Sequence, residues 1–288
     1  MTDTDHDDEI GENPKGRVLI IAGSDSSGGA GVQADIKTVT ALGGYAATAI
    51  TALTVQNTTG VSAIHPAPND IISGQIQAVL EDIGADAIKT GMLGSAEVID
   101  TVIKALDHHG DPAIPLVVDP VMVAASGARL VDDGAVAALR DRLVPRAALL
   151  TPNAPEAEAL TGIKVEDMDG QRAAAEALLQ GGARAVLVKG GHLDGADVID
   201  VLATGNGVRL FTRPRIKTRH THGTGCTLAS ACAALLAQGL SVDRAVEQAG
   251  DYLHEAIQRA PGFGAGGGPV AHGWTCLGGF GRAAAGQA

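Results

Sequence analysis

The chain has few cysteines, few aromatic residues, no cluster of basic residues and no long apolar run. Its three cysteines, Cys226, Cys232 and Cys276, show neither a CxxC pair nor the Cys/His spacing of a zinc site. Their odd number argues against the disulfide framework of a secreted protein. The first residues lack the basic and apolar regions of a signal peptide. We therefore expect a cytoplasmic protein.

The scarcity of aromatic and basic residues also restricts the partners of the chain. Aromatic residues are only 2% of the 288 residues, so stacking on bases is not expected, and we predict no nucleic-acid binding. Apolar runs such as residues 46–55 are too short to span a bilayer, so we predict no membrane partner. The net charge is −12, but six of the acidic residues lie within residues 1–14. We expect residues 1–15 to be a disordered acidic N-terminus.

The remainder of the sequence alternates strand and helix patterns. Short apolar runs such as residues 17–23, 85–93 and 183–192 predict buried strands, and helical periodicity follows most of them. Residues 197–218 predict a hairpin on Gly205-Asn206-Gly207. This alternation predicts an α/β fold with a mainly parallel central sheet and helices on both faces. With no linker inside residues 17–275, we expect one domain over residues 16–276 and a flexible tail over residues 277–288.

Polar residues and glycines gather where the predicted strands end. In open parallel sheets, ligands bind outside the carboxyl ends of the strands. The residues found there are Gly23, Gln56, Lys89, Gly91, Asp119, Asn153 and Lys189. Their number predicts a ligand site at this edge of the sheet.

The segment from His220 to Thr227, HTHGTGCT, opens onto an Ala- and Leu-rich helix. A glycine turn at a helix N-terminus forms an anion hole for phosphate. Cys226 falls in the first turn, where a thiol pKa is commonly lowered, so it is a candidate base. Two alternatives are a plain helix start with a small buried cysteine and a covalent Cys226 nucleophile with His222 as its base.

Three further features bear on the chemistry. Asn153 and Glu156 could order a hydrated Mg²⁺, or could form a capping box. Lys189 at a strand end suits a phosphate contact, or could be a rim lysine. The loop GSDSSGGAG lacks the Walker and dinucleotide spacings, so it is either a close-approach loop for a small ring, with Asp35 pointing back at it, or a plain turn. Phosphoryl transfer accounts for the anion hole, the Asn/Glu pair and the lysine together.

Eight motifs occur in the order typical of one kinase family: IAGSDSSGGAGVQADIKT, ITALTVQNT, IKTGML, VVDPVM, LTPNAPEAEAL, VLVKGGH, HTHGTGCTLASA and GPVAHG. Over roughly residues 17–275 the chain resembles the ribokinase-like superfamily. Within it, the chain is most similar to the hydroxymethylpyrimidine kinase / phosphomethylpyrimidine kinase family of thiamine biosynthesis. The resemblance implies a three-layer sandwich and two phosphorylations of 4-amino-5-hydroxymethyl-2-methylpyrimidine, first to the monophosphate and then to the diphosphate. One departure is Ser26, where the family often has proline.

The resemblance also implies roles for single residues. The pyrimidine pocket would be lined by Gly23, Asp35, Gln56, Met92 and Val121. The anion hole would be formed by Gly223, Thr224 and Gly225, with Cys226 in the place of the aspartate base of many ribokinase relatives. ATP phosphates and Mg²⁺ would be held by Asn153, Glu156 and Lys189, with Asp119 as a further metal candidate.

ATP is thus the expected co-substrate, Mg²⁺ the expected metal and a homodimer the expected assembly. Two other functions stay open. One is a pyridoxal or pyridoxine kinase on the same scaffold, because that ring also carries a hydroxymethyl group. The other is a non-catalytic pyrimidine-binding or regulatory protein, which would have no need of a phosphate site.

Overall fold

The structure is a computed structural model that describes residues 14–123, 127 and 130–276. The predicted C-terminal tail lies outside the described residues, and so does the predicted acidic N-terminus apart from positions 14 and 15. Among the described residues, no helix combines the length and the apolar character needed to cross a membrane.

The described residues form nine strands and eight α-helices. The strands are β1 (Arg17–Ser24), β2 (Tyr45–Asn57), β3 (Gly60–Pro66), β4 (Ala87–Thr90), β5 (Leu116–Val118), β6 (Leu149–Leu150), β7 (Ala185–Val188), β8 (Asp197–Thr204) and β9 (Gly207–Pro214). The helices are α1 (Gly31–Ala41), α2 (Asn69–Ala78), α3 (Ala96–His109), α4 (Asp133–Ala138), α5 (Ala154–Thr161), α6 (Met168–Gln180), α7 (Thr224–Ala237) and α8 (Val242–Gln258). Single π-helical turns continue α2 and α4.

The strands form one sheet in the order β3-β2-β1-β4-β5-β6-β7-β8-β9. The strands from β2 to β7 in this order pair in parallel. The edge strand β3 and the β8–β9 hairpin pair antiparallel. The predicted mainly parallel sheet is therefore confirmed, and its carboxyl edge collects the loops after β1, β4, β5, β6 and β7.

Helices cover both faces of this sheet, as predicted. Successive residues of β1 point to opposite faces, since Leu19 packs in one core and Ile20 in the other. The first core joins the sheet to α2–α6, and the second joins it to α1, α7 and α8. Helix α7 contributes nine buried residues, because it lies between the sheet and the helices α1 and α8.

Local signals placed most elements correctly, and the differences are in length. The hairpin turns on Gly205-Asn206, with Thr204 paired to Gly207, so Gly207 begins β9 instead of closing the turn. Helix α6 begins at Met168, because the side chain of Asp167 caps it. Strands β5 and β6 have only three and two residues. Short strands bring the loops that follow them close together.

Candidate active site

A cleft of about 1180 Å³ lies at the carboxyl edge of the parallel strands. Its walls come from the loops after β1, β4, β5, β6 and β7, from the N-terminus of α7 and from α8. The sequence-predicted residues that line it are Gly23, Gln56, Met92, Asp119, Val121, Asn153, Glu156, Lys189, Gly223, Thr224, Gly225 and Cys226. The structure thus brings these residues together, whereas Asp35 and Lys89 are fully buried and do not line the cleft.

The predicted anion hole is formed where α7 begins. Gly223 caps the helix with φ at 80°, a left-handed conformation that favours glycine. A Cβ on Gly223 would lie 1.8 Å from the carbonyl oxygen of Gly29, so the turn packs backbone to backbone against the loop after β1. Residues 223–226 at this helix start line the cleft, and a helix N-terminus can bind an anion there.

A lysine and two carboxylates face this helix start. Lys189 Nζ lies 3.3 Å from Oδ1 of Asp119 and 3.9 Å from Oε2 of Glu156. A Cβ added at Gly225 would lie 3.3 Å from Nζ of Lys189. Because glycine has no side chain, the lysine can approach the start of α7 closely. Burial opposes the charge of Lys189, but Asp119 and Glu156 outweigh it and raise the pKa of Lys189. Lys189 is a cation in the cleft.

Asn153 and Glu156 form the capping box that the sequence left open as an alternative. The Glu156 amide donates to Oδ1 of Asn153, and the Asn153 amide donates to Oε2 of Glu156. Burial raises the pKa of Glu156, with Lys189 opposing this and Asp119 adding to it. The pair caps α5 and also lines the cleft. Forming the capping box therefore does not prevent these residues from taking part in the site.

At the end of the cleft beside β1 and β2, Gly23 and Met92 are in close contact. A Cβ on Gly23 would lie 2.5 Å from Cε of Met92, so only a glycine leaves the methionine its position. Gln56 at the end of β2 and Val121 after β5 complete this part of the lining. The mixture of flat apolar contacts and one amide suits a small heteroaromatic ring.

The expectation that Asp35 lines this pocket is wrong. Its carboxylate is fully buried beneath the cleft, where Lys89 Nζ donates to both oxygens at 2.9 and 3.0 Å and Ser230 Oγ donates at 2.7 Å. The side of α1 that carries Asp35 faces the sheet and α7, because Val32 and Val39 on the same helix belong to that core. Burial opposes the charge of Lys89, yet Asp35 outweighs it and raises the pKa of Lys89.

Cys226 lies in the first turn of α7 and lines the cleft, as predicted. A helix start commonly lowers a thiol pKa, but here burial raises the pKa of the Cys226 thiol to about 12 despite the nearby Lys89 ammonium. His222 is committed elsewhere, since its Nε2 lies 2.7 Å from Oδ2 of Asp25. The pairing that a cysteine nucleophile with a His222 base would need is therefore not formed.

With this geometry described, comparisons with known proteins identify the family. The sequence model of the phosphomethylpyrimidine kinase family matches residues 25–271. The hydroxymethylpyrimidine/phosphomethylpyrimidine kinase of Bacillus subtilis is 46% identical over 257 residues, which are 89% of this chain and 94% of that protein. The chain belongs to the phosphomethylpyrimidine kinase family.

Two further relatives show the range of this kinase family. The thiamine biosynthesis bifunctional protein ThiED of Geobacter sulfurreducens is 51% identical over 259 residues, 90% of this chain. The chain spans only about half of that relative, 52% of its length. The pyridoxal kinase of Staphylococcus aureus, solved with AMP-PCP and pyridoxal, superposes with a TM-score of 0.82 at 36% identity, covering 90% of this chain and 93% of that one. The ribokinase-like kinase fold is therefore shown.

Sequence reasoning missed the part played by the loop after β1. Asp25 Oδ2 accepts hydrogen bonds from Ser27 Oγ and the Ala30 amide, and it pairs with His222. The glycine-rich loop thus holds the segment before the anion hole instead of binding phosphate itself. The only signal for this in the sequence was a histidine beside Gly223, and nothing local connects it to Asp25.

Sequence reasoning also missed Arg215, which lines the cleft beyond β9. Its guanidinium donates to the carbonyl oxygens of Gly191, Leu193 and Gly195. These hydrogen bonds fix the loop that follows Lys189 in the sequence. A single arginine after a strand carries no such signal, because its partners are carbonyl groups.

Proposed function

We propose that this protein transfers the γ-phosphoryl group of ATP to the hydroxymethyl group of 4-amino-5-hydroxymethyl-2-methylpyrimidine and then to the resulting monophosphate. One observation carries the proposal: a ring-sized pocket and a lysine–carboxylate cluster meet at the anion hole of α7, within one cleft. Family membership agrees with it, since close relatives carry the names of both activities.

The proposed pyrimidine subsite lies between β1, β2 and the loops after β4 and β5. Gly23, Met92 and Val121 would contact the ring faces, and Gln56 would hydrogen-bond its edge. A side-chain amide offers one acceptor and one donor in the plane of the ring, which matches an amino group beside a ring nitrogen. Asp35 has no part in this subsite.

The proposed transfer takes place at the N-terminus of α7. The substrate oxygen forms a bond to the γ-phosphorus as the bond to the bridging oxygen of ADP breaks. The amides around Gly223, Thr224 and Gly225 would hold the transferring group, whose charge favours the helix start. In its thiolate form, Cys226 would accept the hydroxyl proton as a base and would form no covalent intermediate. Because the pKa of the Cys226 thiol is raised, the anion hole would supply most of the stabilisation of the transition state.

The triphosphate would extend from the anion hole over Lys189, Asn153 and Glu156. Lys189 would contact the phosphates directly. Its Nζ lies close to the start of α7, 3.3 Å from where a Cβ added at Gly225 would be. Asp119 fits a metal ion, because its buried Oδ2 has no hydrogen-bond partner among the described residues. No group of three or more acidic, histidine or cysteine side chains in the described part of the chain could hold a metal alone.

This sparse set of ligands suits Mg²⁺, which commonly binds through one or two carboxylates and substrate phosphates. Asp119 and Glu156 would therefore hold Mg²⁺ jointly with ATP. When bound there, Mg²⁺ would supply charge neutralisation for the transferred group. Asp119 and Lys189 would in addition balance each other's charge before the nucleotide binds.

A pyridoxal kinase is the second candidate, because the structure of such an enzyme with pyridoxal superposes on this chain with a TM-score of 0.82. ADP release with the pyrimidine alcohol, its monophosphate and pyridoxal, each at equal concentration, separates the two. The proposal predicts the highest kcat/KM for the pyrimidines. A higher value for pyridoxal would reverse the order of the two candidates.

We propose further that the protein acts as a homodimer in the cytoplasm, where ATP is available. The β2–β3 hairpin exposes Leu53, Val55 and Ile64, and β3 is an edge of the sheet. An apolar edge of this kind favours pairing with a second copy. Light scattering should give a dimer for the wild type and a monomer for Val55→Asp. A monomeric wild type would contradict this assembly.

A further inference from the structure

Lys89 in β4 is a fully buried lysine that the proposed phosphoryl transfer does not use. Its ammonium donates to both oxygens of Asp35, at 2.9 and 3.0 Å. A Cβ added at Gly91, which lines the cleft, would lie 2.9 Å from Nζ of Lys89. The ammonium therefore lies directly beneath the lining of the cleft, where it cannot contact a phosphate but can act on nearby charges.

Helices α1 and α7 meet in a regular register beneath the cleft. Ser230 Oγ on α7 donates to Oδ1 of Asp35 on α1 at 2.7 Å. One turn earlier on the two helices lie Cys226 and Gly31, and the Gly31 amide favours the ionised form of the Cys226 sulfur as a hydrogen-bond donor. Residues four apart lie on one face of a helix. The pair of Lys89 and Asp35 therefore lies about one turn below the sulfur.

Charged groups of both signs act on the sulfur of Cys226. Lys89 favours the thiolate, and its effect is larger than the opposing effects of Asp35 and Asp119. Lys189 also interacts with the ionised sulfur, but it pairs with Asp119 and faces the cleft. Bound ATP would engage Lys189 through its phosphates, whereas the buried Lys89 keeps its charge for the thiolate.

Asp35 explains how Lys89 stays charged without contact with water. Burial alone disfavours an ammonium, but Asp35 outweighs it and raises the pKa of Lys89, with the Cys226 thiolate and Asp119 adding to this effect. Breaking a buried ion pair is costly, yet replacing the whole pair by apolar residues is often neutral or stabilising. Stability alone therefore does not account for a pair at this position, one turn below the candidate base.

We propose that Lys89 is a positioning residue for the reaction, whose buried ammonium stabilises the thiolate of Cys226 beside the anion hole. Asp35 and Ser230 hold this ammonium in place. The proposal rests on the proposed function, in which the Cys226 thiolate accepts the proton of the substrate hydroxyl. Lys89 keeps its own proton throughout and acts only through its charge.

Alkylation of Cys226 by iodoacetamide measures the thiolate without any substrate, because the thiolate displaces iodide and the thiol does not. A Cys276→Ser background removes the exposed thiol, and peptide mass spectrometry locates the label. The double variant Lys89→Met/Asp35→Leu removes both buried charges. Its alkylation rate at a fixed pH should fall at least about threefold, because a nearby opposite charge lowers a pKa by about one unit or more and loss of the Asp35 carboxylate offsets part of this.

Matched variants separate this role from a structural one. Lys89→Met alone is expected to be unstable, and the double variant should recover much of the stability. If Lys89 were only structural, the alkylation rate would recover together with the stability, whereas the proposal predicts that it stays low. Lys104→Met removes an exposed positive charge on α3 and should alkylate as wild type. If the double variant does not fold, Lys89→Gln replaces it with the same expectation, since a glutamine is neutral and can still donate to Asp35.

Steady-state kinetics with varied pyrimidine and ATP connect the thiolate to turnover. In the double variant, kcat should fall by the same factor as the alkylation rate, with the KM for ATP unchanged because Lys89 does not line the cleft. If the wild type does not phosphorylate the pyrimidine alcohol, the proposed function fails, and slower alkylation of the double variant still assigns Lys89 to the thiolate. A wild-type alkylation rate, or slower alkylation with an unchanged kcat, would overturn the role of Lys89.

Discussion

Lys189 places its ammonium nitrogen 3.3 Å from Oδ1 of Asp119, while Oδ2 of that carboxylate has no hydrogen-bond partner in the described part of the chain. The pair lies at the bottom of the cleft beside Gly225. A half-satisfied carboxylate next to a cation is costly in an empty site and useful in one that receives a metal and phosphates. Because Lys189 is the cation of this pair, we expect ATP binding to depend on Lys189 more than on any other residue of the site.

We expect Lys189→Met to lower kcat/KM for ATP by about 10²–10³-fold, as loss of a preorganised donor to phosphate does. Steady-state kinetics with varied ATP measures the effect. Lys164→Met is the control, since Lys164 is an exposed lysine that pairs with Glu158 and does not line the cleft. Near wild-type kinetics for Lys189→Met would remove this lysine from the phosphate site.

Cys226 should act as a base without forming an adduct. We expect Cys226→Ser to lower kcat by ~10²–10⁴-fold with both substrates still bound, since the anion hole is intact. Because the thiol pKa is about 12, the wild-type kcat should rise between about pH 7 and about pH 9 as the thiolate fraction grows. Cys226→Asp should lose this rise, since a carboxylate with its usual pKa near 4 is already ionised.

Rapid-quench samples analysed by intact mass complete the test of Cys226. No phosphorylated or substrate-bound protein should accumulate during turnover. A trapped adduct on Cys226, or a fully active Cys226→Ala, would contradict the proposed base.

The buried pair of Lys89 and Asp35 should govern stability. Lys89→Met leaves the Asp35 carboxylate without its cation in a fully buried position and should lower the free energy of unfolding by about 3–5 kcal/mol. The double variant Lys89→Met/Asp35→Leu removes both charges and should recover much of that loss. Urea unfolding of the wild type and the two variants checks this, and a single variant as stable as the wild type would show that the carboxyl is not ionised.

His272 should make folding sensitive to acid. Burial, with Lys37 and His222 nearby, lowers the pKa of His272 to about 4 from its usual 6.5. Below pH 6.5 the unfolded chain takes up a proton that the folded chain refuses, so stability falls as the pH drops from about 6.5 toward 4. Replacing His272 by leucine should flatten this part of the unfolding free energy against pH, whereas His65→Leu, at an exposed position, should leave it unchanged.

Much of the site could be predicted because its signals are local. The helix start at Gly223–Cys226, the capping box of Asn153 and Glu156 and the hairpin at Gly205-Asn206 each depend on residues within one turn. Strand ends were equally readable, which is why Lys189 and Asp119 were expected in one cleft. Family motifs then supplied the substrate.

The errors concern burial and long-range pairs. Asp35 was expected in the pocket because nothing in the sequence shows which side of α1 meets Lys89, 54 residues away. The sequence left the pKa of the Cys226 thiol open, because the burial that raises it depends on the folded chain. Asp25 and His222 are 197 residues apart, so their pairing required the folded chain.

The central claim is stepwise phosphorylation of the pyrimidine alcohol, and ³¹P NMR of one reaction tests it most directly. With 4-amino-5-hydroxymethyl-2-methylpyrimidine, ATP and Mg²⁺, a phosphomonoester resonance should appear first and then give way to the two coupled resonances of a diphosphate ester. ADP should accumulate in proportion to both steps. A reaction that leaves the pyrimidine unphosphorylated, while the same enzyme converts pyridoxal to its phosphate, would contradict the account.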